Sequence, residues 1–373
     1  MKRTPKVALP KNATPRNKKP SIMFIPWENS GVGLYRLIIP MLSLAERKLA
    51  GVETIDEFSD DMTKMVKVDL NLIEGNIKSK KHNIVYTTKP LIPQHIALCQ
   101  MLQGFGYKWV LDMDDNIFDV NKDNPGFKAF NKEGQGDARF WIEVAMREAD
   151  LLVVSTENLK KLYDRYNKNI FVNKNTIDFR FWKHTNAWGV NGKTIIGWAG
   201  ASGHSFDMGL IEEPVKELKK KWGNKVEFVA FGAEKPEFFD RHVDWVELRK
   251  YPEKLSTLGF DIGLAPLRDN LYNRGKSNLR WLEYSALKIP TVASDVEPYK
   301  NTNALLCVTH NDWVSALDTL IADTRLRRDL GVTAYDIVKK KFNTSTYVRS
   351  LAKRLEELLW EKKPTQKKSG PAL

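Results

Sequence analysis

From residue 21 onward, short runs of aliphatic and β-branched residues alternate with longer stretches whose apolar positions recur every three or four residues. Continuous apolar runs of this length read as strands buried on both faces, and the longer period reads as helices packed over them. The first series runs strand "SIMFIP", loop "WENSGVG", a helix from about Tyr35 to Ala50, strand "HNIVYTT" and helix "PQHIALCQMLQGFG". It continues with strand "KWVLDMDD", helix "ARFWIEVAMREA", strand "DLLVVST", helix "ENLKKLYDRY" and strand "NIFVNKN". That is one doubly wound α/β unit. "TIDFRFWKHTNAWGVNG" follows it as a connector.

The alternation then restarts. "KTIIGWAG", a helix over about 207–222, "VEFVAFG", "VDWVEL", "FDIGLAPL", a helix over 277–288, "IPTVAS" and "ALLCV" predict a second sheet with its helices. Helices over about 323–342 and 344–362 end the pattern, the last with Leu351, Leu355, Leu358 and Trp360 at helical spacing. The expected organisation is a basic tail at 1–20, a first Rossmann-like domain at 21–188 and a second at 189–342. A crossover helix at 343–362 and a second basic tail at 363–373 complete it. Two α/β units in tandem create a cleft between the carboxyl ends of their strands, where such sheets bind ligands.

Composition agrees with two folded cores. The chain has 373 residues, 42% of them hydrophobic, and 11 tryptophans. Its two cysteines, Cys99 and Cys307, sit far apart in apolar stretches, which argues for a reducing compartment without a disulfide or zinc framework. The first 20 residues hold no apolar signal core, and no apolar run approaches the roughly 18 residues of a transmembrane helix. A cytoplasmic protein is expected.

The net charge is +13, but its location changes the picture. Residues 1–20 carry seven basic residues and no acid, and residues 361–373 carry four lysines against Glu361, so the body between them is left with about +3. The excess lies in two Pro/Lys-rich tails that read as flexible. Such tails either solubilise or hold a polyanion (DNA, RNA or an anionic lipid surface) through counterion release.

Several motifs could carry chemistry. "ENSGVGLYR" sets Gly31 and Gly33 between a strand and a helix, where a backbone can approach an anion closely. Arg36 stands where a dinucleotide fingerprint would have its third glycine, so a plain tight turn is the alternative. "GWAGASGHSFD" offers a similar loop through Gly197, Gly200 and Gly203, with His204 on it. "LDMDDN" brings Asp112, Asp114 and Asp115 to a strand end, either as a D-x-D metal site, as local hydrogen-bonding groups, or with one acid facing the cleft. No G-x-S-x-G, H-E-x-x-H, C-x-x-C, Walker A or kinase signature occurs.

The densest cluster is "YNRGKSNLRWLEYSALKIPTVASD". A helix starting at Ser277 would turn free N–H groups toward an anion, with Lys276 just ahead of it. Arg280 and Glu283 would share its face, and a carboxylate there can accept two hydrogen bonds from a ribose diol. A solvated basic helix end with an internal Arg280–Glu283 pair explains the same residues.

At this point the pattern resembles a known family. "DIGLAPLRDNLYNRGKSNLRWLEYSALKIPTVASDVEPY" is similar to the nucleotide-sugar segment of GT-B glycosyltransferases of the family 4 type. "IGWAGASGHSFDMGLI", "SGVGLYRLIIPMLSLAE" and "VNKNTIDFRFW" resemble the second domain's first strand and loop, the first domain's Gly-rich loop, and the interdomain stretch. The resemblance spans about residues 21–360. It implies two Rossmann-like domains facing a cleft, with the terminal helix crossing back to the first.

The implied activity is transfer of a sugar from a nucleoside diphosphate sugar, a UDP-sugar, to a hydroxyl, with retention of configuration and no metal or other cofactor. Donor-binding residues would be Gly31, Gly33, Gly200, Arg274, Lys276, Ser277, Arg280 and Glu283, the last on the ribose. Asp114, Asp115 and His204 are the catalytic candidates. The sequence departs from the family pattern at two places. Gly275 occupies the position eight before Glu283 where the family has a second acid, and the loop after "IIGWAG" lacks the usual arginine and lysine. The basic tails favour a DNA acceptor with hydroxymethylated bases, as in a phage DNA-modifying enzyme. Cell-envelope glycans or lipid-linked acceptors, reached by peripheral membrane contact, are the alternative. A non-catalytic nucleotide-sugar or nucleic-acid binding module is the reading from another class.

Overall fold

A computed structural model describes residues 19–25, 33–54, 70–122, 124, 127–130, 138–183, 192–200, 205–232 and 236–361. Gly31, His204 and nearly all of both basic tails lie outside the described residues.

The first sheet contains β1 (Ser21–Ile25), β2 (Gly51–Thr54), β3 (Ile84–Thr87), β4 (Lys108–Met113), β5 (Leu151–Val154) and β6 (Ile170–Val172), in the order β2-β1-β3-β4-β5-β6. The second contains β7 (Thr194–Gly200), β8 (Val226–Gly232), β9 (Arg241–Asp244), β10 (Ile262–Ala265), β11 (Thr291–Ser294) and β12 (Leu305–Cys307), in the order β12-β11-β10-β7-β8-β9. Every pairing is parallel. Parallel sheets require cover on both faces, which is why β3, β5, β7, β10 and β11 are buried at every position. The strand order reverses between β1 and β3 in one sheet and between β7 and β10 in the other. Both switch points open toward the other domain, and the two domains form the expected tandem α/β architecture.

The terminal helix Thr344–Leu358 places Val348, Leu351, Ala352, Leu355 and Leu358 in one cluster with Ile22, Phe24, Leu37 and Leu44 of the first domain. It crosses back as the resemblance implied. Trp360, expected on its apolar stripe, lies past the helix end and is 59% exposed. The helical period had already ended at Leu358.

Other boundaries shift for local reasons. The helix expected from Ser277 begins at Leu279, because Asn270 caps a separate turn, Leu271–Arg274, and Gly275 N–H and Lys276 N–H continue that turn onto Tyr272 and Asn273 carbonyls. The helix over 207–222 splits into Ser205–Met208 and Glu212–Trp222. The strand expected at "VDWVEL" lies earlier, at Arg241–Asp244, since Trp245 and Val246 pack against the interdomain core instead. The edge strand β2 and the helices Leu70–Ser79 and His310–Ala322 were not among the expected elements. The last carried a usable signal, a capping box between Thr309 and Asp312.

The domains meet through a continuous apolar cluster. Leu34, Tyr35, Ile38 and Ile39 of the first domain pack with Ile177 and Trp182 of the connector and with Trp281, Leu282 and Tyr284 of the second. A π-helical turn, Leu34–Ile38, opens the first helix at this junction. Such turns are rare and concentrate at functional sites.

Candidate active site between the two sheets

Six segments deliver the polar groups of the cleft: those after β3, β4 and β6, the π-turn after Gly33, the helix Tyr251–Thr257 and the 270–283 segment of the second domain.

Asp114 and Asp115 follow β4 directly. Lys276 reaches across from the second domain, its Nζ 3.5 Å from Asp115 Oδ1 and 4.5 Å from the centre of the Tyr272 ring. Lys89, just past β3, lies 3.6 Å from Asp114 Oδ1. Tyr163 Oη donates to the Asp115 carbonyl at 2.5 Å and fixes that loop. Burial alone would lower the Lys276 pKa, but Asp115, Tyr272 and Asp114 outweigh it and hold the ammonium above the ordinary lysine value. The result is a pair of lysine–aspartate contacts at the domain junction. Lys276 and the two aspartates were expected from the sequence. Lys89 was missed, although a lysine directly after a strand that ends in this cleft was the available signal.

Glu283 is 3% exposed. Its Oε1 accepts from Tyr35 Oη of the first domain at 2.7 Å, and its Oε2 accepts from Tyr251 Oη at 3.1 Å and Arg280 Nη1 at 2.5 Å. Burial raises its pKa above the usual carboxylate value, against the pull of Arg280, Tyr35 and Tyr251. The internal Arg280–Glu283 pair is therefore real, and it is sealed in the domain interface rather than solvated. Tyr35 and Tyr251 had no local sequence signal, because their contacts join residues far apart in the chain.

Ser277 is tied into a second network. Arg36, 1% exposed, donates to both oxygens of Asp112 at 2.7 and 3.0 Å, to the Asn173 carbonyl at 2.5 Å and to Asn175 Oδ1 at 2.9 Å. Tyr86 Oη also donates to Asp112, at 2.6 Å. Asn175 Nδ2 in turn donates to Ser277 Oγ at 2.8 Å. Asp112 is thus consumed by Arg36 and Tyr86, which removes it from the D-x-D reading. Arg36, at the position of the third glycine, cross-links the π-turn to β4 and to the segment after β6.

The remaining candidates separate. Gly33 immediately precedes the π-turn. Gly200 ends β7, where a Cβ would meet the Trp198 ring at 2.3 Å. Arg274 is held by Asp269 at 2.7 and 2.8 Å. Gly275 touches the first domain: a Cβ there would sit 3.1 Å from Asn116 Cβ and 3.2 Å from Leu159 Cδ2, and Thr156 Oγ1 donates to its carbonyl at 3.0 Å. A side chain at this position would press on the first domain.

A cavity of about 760 Å³ lies beside these groups, lined by Asn116, Asp119 and Lys161 from one domain and Arg274, Gly275 and Lys300 from the other. The helix start at Asn278 has no side-chain cap, so first-turn N–H groups remain for a ligand. Among the described residues no cluster of three or more His, Cys, Asp or Glu could hold a metal, and no helix is long and apolar enough to cross a membrane.

Two parallel doubly wound domains, a cleft between their carboxyl ends and a C-terminal helix returning to the first domain define the GT-B fold. No protein-family model matches the chain, and no curated protein matches it by sequence. Solved structures do match. A glycosyltransferase from Rickettsia africae ESF-5 aligns with a TM-score of 0.62 and 14% identity, over 92% of this chain and 100% of that one. An alpha-glucosyltransferase in complex with UDP-glucose and DNA containing an abasic site aligns with a TM-score of 0.61 and 13% identity, over 90% and 99%. TarM aligns with a TM-score of 0.55 and 16% identity over 73% of this chain, which spans about half, 54%, of TarM's length.

Proposed function

We propose that this chain is a glycosyltransferase of the family 4 type, moving a sugar from a UDP-sugar to a hydroxyl with retention of configuration. The acceptor in this reading is a hydroxymethylated base in phage DNA. The observation that carries the proposal is Lys276 paired with Asp115 across the domain junction, next to an uncapped helix start.

A diphosphate entering the cleft is a stronger partner for Lys276 than a single carboxylate, since it brings more charge and more acceptor oxygens. Lys276, Lys89 and the helix N–H groups would then stabilise the leaving nucleoside diphosphate as the glycosidic bond breaks. These fixed cations meet the developing charge without a metal ion. Asp115, released from Lys276, and Asp114 stand on the first-domain side, where they can accept a hydrogen bond from the acceptor hydroxyl and orient it. Glu283 takes the donor ribose in place of the Tyr35 hydroxyl when the domains part, and closure follows substrate entry. Support for a DNA acceptor comes from the two basic tails and from the alpha-glucosyltransferase of similar fold that was solved with UDP-glucose and DNA.

The test is incubation of the full chain with a panel of sugar nucleotides and with plain or hydroxymethylated DNA, with and without a chelator, reading nucleosides by mass spectrometry. A sugar adduct on the hydroxymethylated base, undiminished by the chelator, is expected. The Lys276→Met variant should lose at least a hundredfold in turnover while its circular dichroism spectrum remains that of the folded protein. Absence of both an adduct and donor hydrolysis would leave a non-catalytic binding module as the reading.

A further inference from the structure

Outside the cleft, the first domain carries an unusual stack of rings and guanidinium groups. Phe118 and Tyr166 stack with centroids 5.3 Å apart and planes 23° apart. Arg139 lies 4.7 Å over the Phe118 ring, Arg147 lies 4.8 Å over Tyr166, and Arg165 covers both, at 5.2 and 4.8 Å. Among the described residues one carboxylate, Glu143, pairs with this set, 3.3 Å from Arg139. The nearby Asp164 is taken by Lys168. A guanidinium held beside a ring still has N–H groups to offer, and it is weakly hydrated, which suits a phosphate.

We propose that this Arg139–Arg147–Arg165 ledge is a binding surface for a single strand of nucleic acid, leading it into the interdomain cavity. The inference rests on the DNA-acceptor reading above and deepens it by locating the strand. Arg139 and Arg147 sit on one helix, Ala138–Glu148, about 12 Å apart along its axis at 1.5 Å per residue. With Arg165 beside them, that separation lets three guanidinium groups meet successive phosphates of one strand. The ledge adjoins the cavity through sequence neighbours: Asp119, next to Phe118, and Lys161, four residues before Arg165, both line it. A base leaving its stack could follow this path to the cleft, as enzymes acting on bases require. A membrane fits the surface less well. The faces of Phe118 and Tyr166 are covered by guanidinium groups, and Phe140, 57% exposed, is the large apolar side chain that projects from this helix.

The test compares the full-length wild type with an R139Q/R147Q/R165Q variant and an R139K/R147K/R165K variant. Each is titrated against a fluorescent single-stranded oligonucleotide over a salt series, and against vesicles with anionic headgroups; melting temperature is recorded alongside. Glutamine at the three positions should weaken oligonucleotide binding at least tenfold and flatten the log–log salt slope by about 2, from about 0.7 per phosphate contact. The lysine variant should keep the wild-type slope, and this holds the test open if the glutamine variant does not fold. Wild-type binding that all three proteins share, with one slope, would overturn the ledge while leaving a DNA acceptor intact. No oligonucleotide binding by the wild type would overturn the acceptor reading and the ledge with it. Vesicle binding lost in the glutamine variant, without oligonucleotide binding, would assign the surface to a membrane instead.

Discussion

Individual residues in this chain act through partners that their local sequence does not reveal. Arg36 reads as an interruption of a glycine motif, yet its guanidinium is buried against Asp112, Asn173 and Asn175. Truncating one member of a buried ion pair leaves the other charge without a partner, so Arg36→Ala should cost about 3–5 kcal/mol in urea denaturation. A loss below about 1 kcal/mol would show that water reaches the site. Glu53 gives a pH signature. Burial raises its pKa, but hydrogen bonds from Lys81, His82 and Asn76 outweigh that and hold it at about 2, below the ordinary 4.5. A lowered carboxylate pKa stabilises the fold fully above the unfolded value and loses that contribution as pH falls through the folded value. The stability margin of wild type over Glu53→Gln should therefore shrink steadily between about pH 4.5 and pH 2 in an acid titration. A constant margin over that range would contradict the assignment.

At the scale of elements, the hydrophobic period located most strands and helices, because each buries a face with its own repeat. It was least informative where another element decides the boundary. The helix after Lys276 starts at Leu279 rather than Ser277, since Asn270 and Tyr272 draw the preceding residues into their own turn. The crossover helix shows the opposite case: Leu351, Leu355 and Leu358 have the expected spacing, and all are buried against the first domain. Leu355→Ala should cost about 2–5 kcal/mol, as large-to-small core substitutions do, and thermal melting checks it. A loss under 1 kcal/mol would mean that the helix is not docked.

For the whole molecule, the domain junction is where the buried polar contacts concentrate. Lys276 with Asp115, Glu283 with Tyr35, and Ser277 with Asn175 each join one domain or the connector to the other domain. The excess charge belongs to the same scale, since it sits in the tails and the body is nearly balanced. Removing residues 1–18 takes away six basic residues and spares Lys19, whose carbonyl accepts from Asn83. The truncated protein should bind DNA more weakly with a shallower salt dependence, measured by anisotropy; identical slopes would assign the tail another role.

The sequence by itself determined the tandem α/β architecture and the cleft, and it marked residues 272–295 as the densest cluster of candidate groups. Periodic burial and strand-to-helix punctuation are local properties, and these features follow from them. It also singled out Lys276, Asp114, Asp115 and Glu283. Tertiary structure alone decided what those groups touch: that Asp112 belongs to Arg36, that Tyr35 occupies Glu283, that Lys89 joins the site, and that Gly275 lies at a close domain contact. The physical reason is range. A hydrophobic period is written within ten or so residues, whereas a buried charge takes its partner from wherever the fold brings one within about 3 Å.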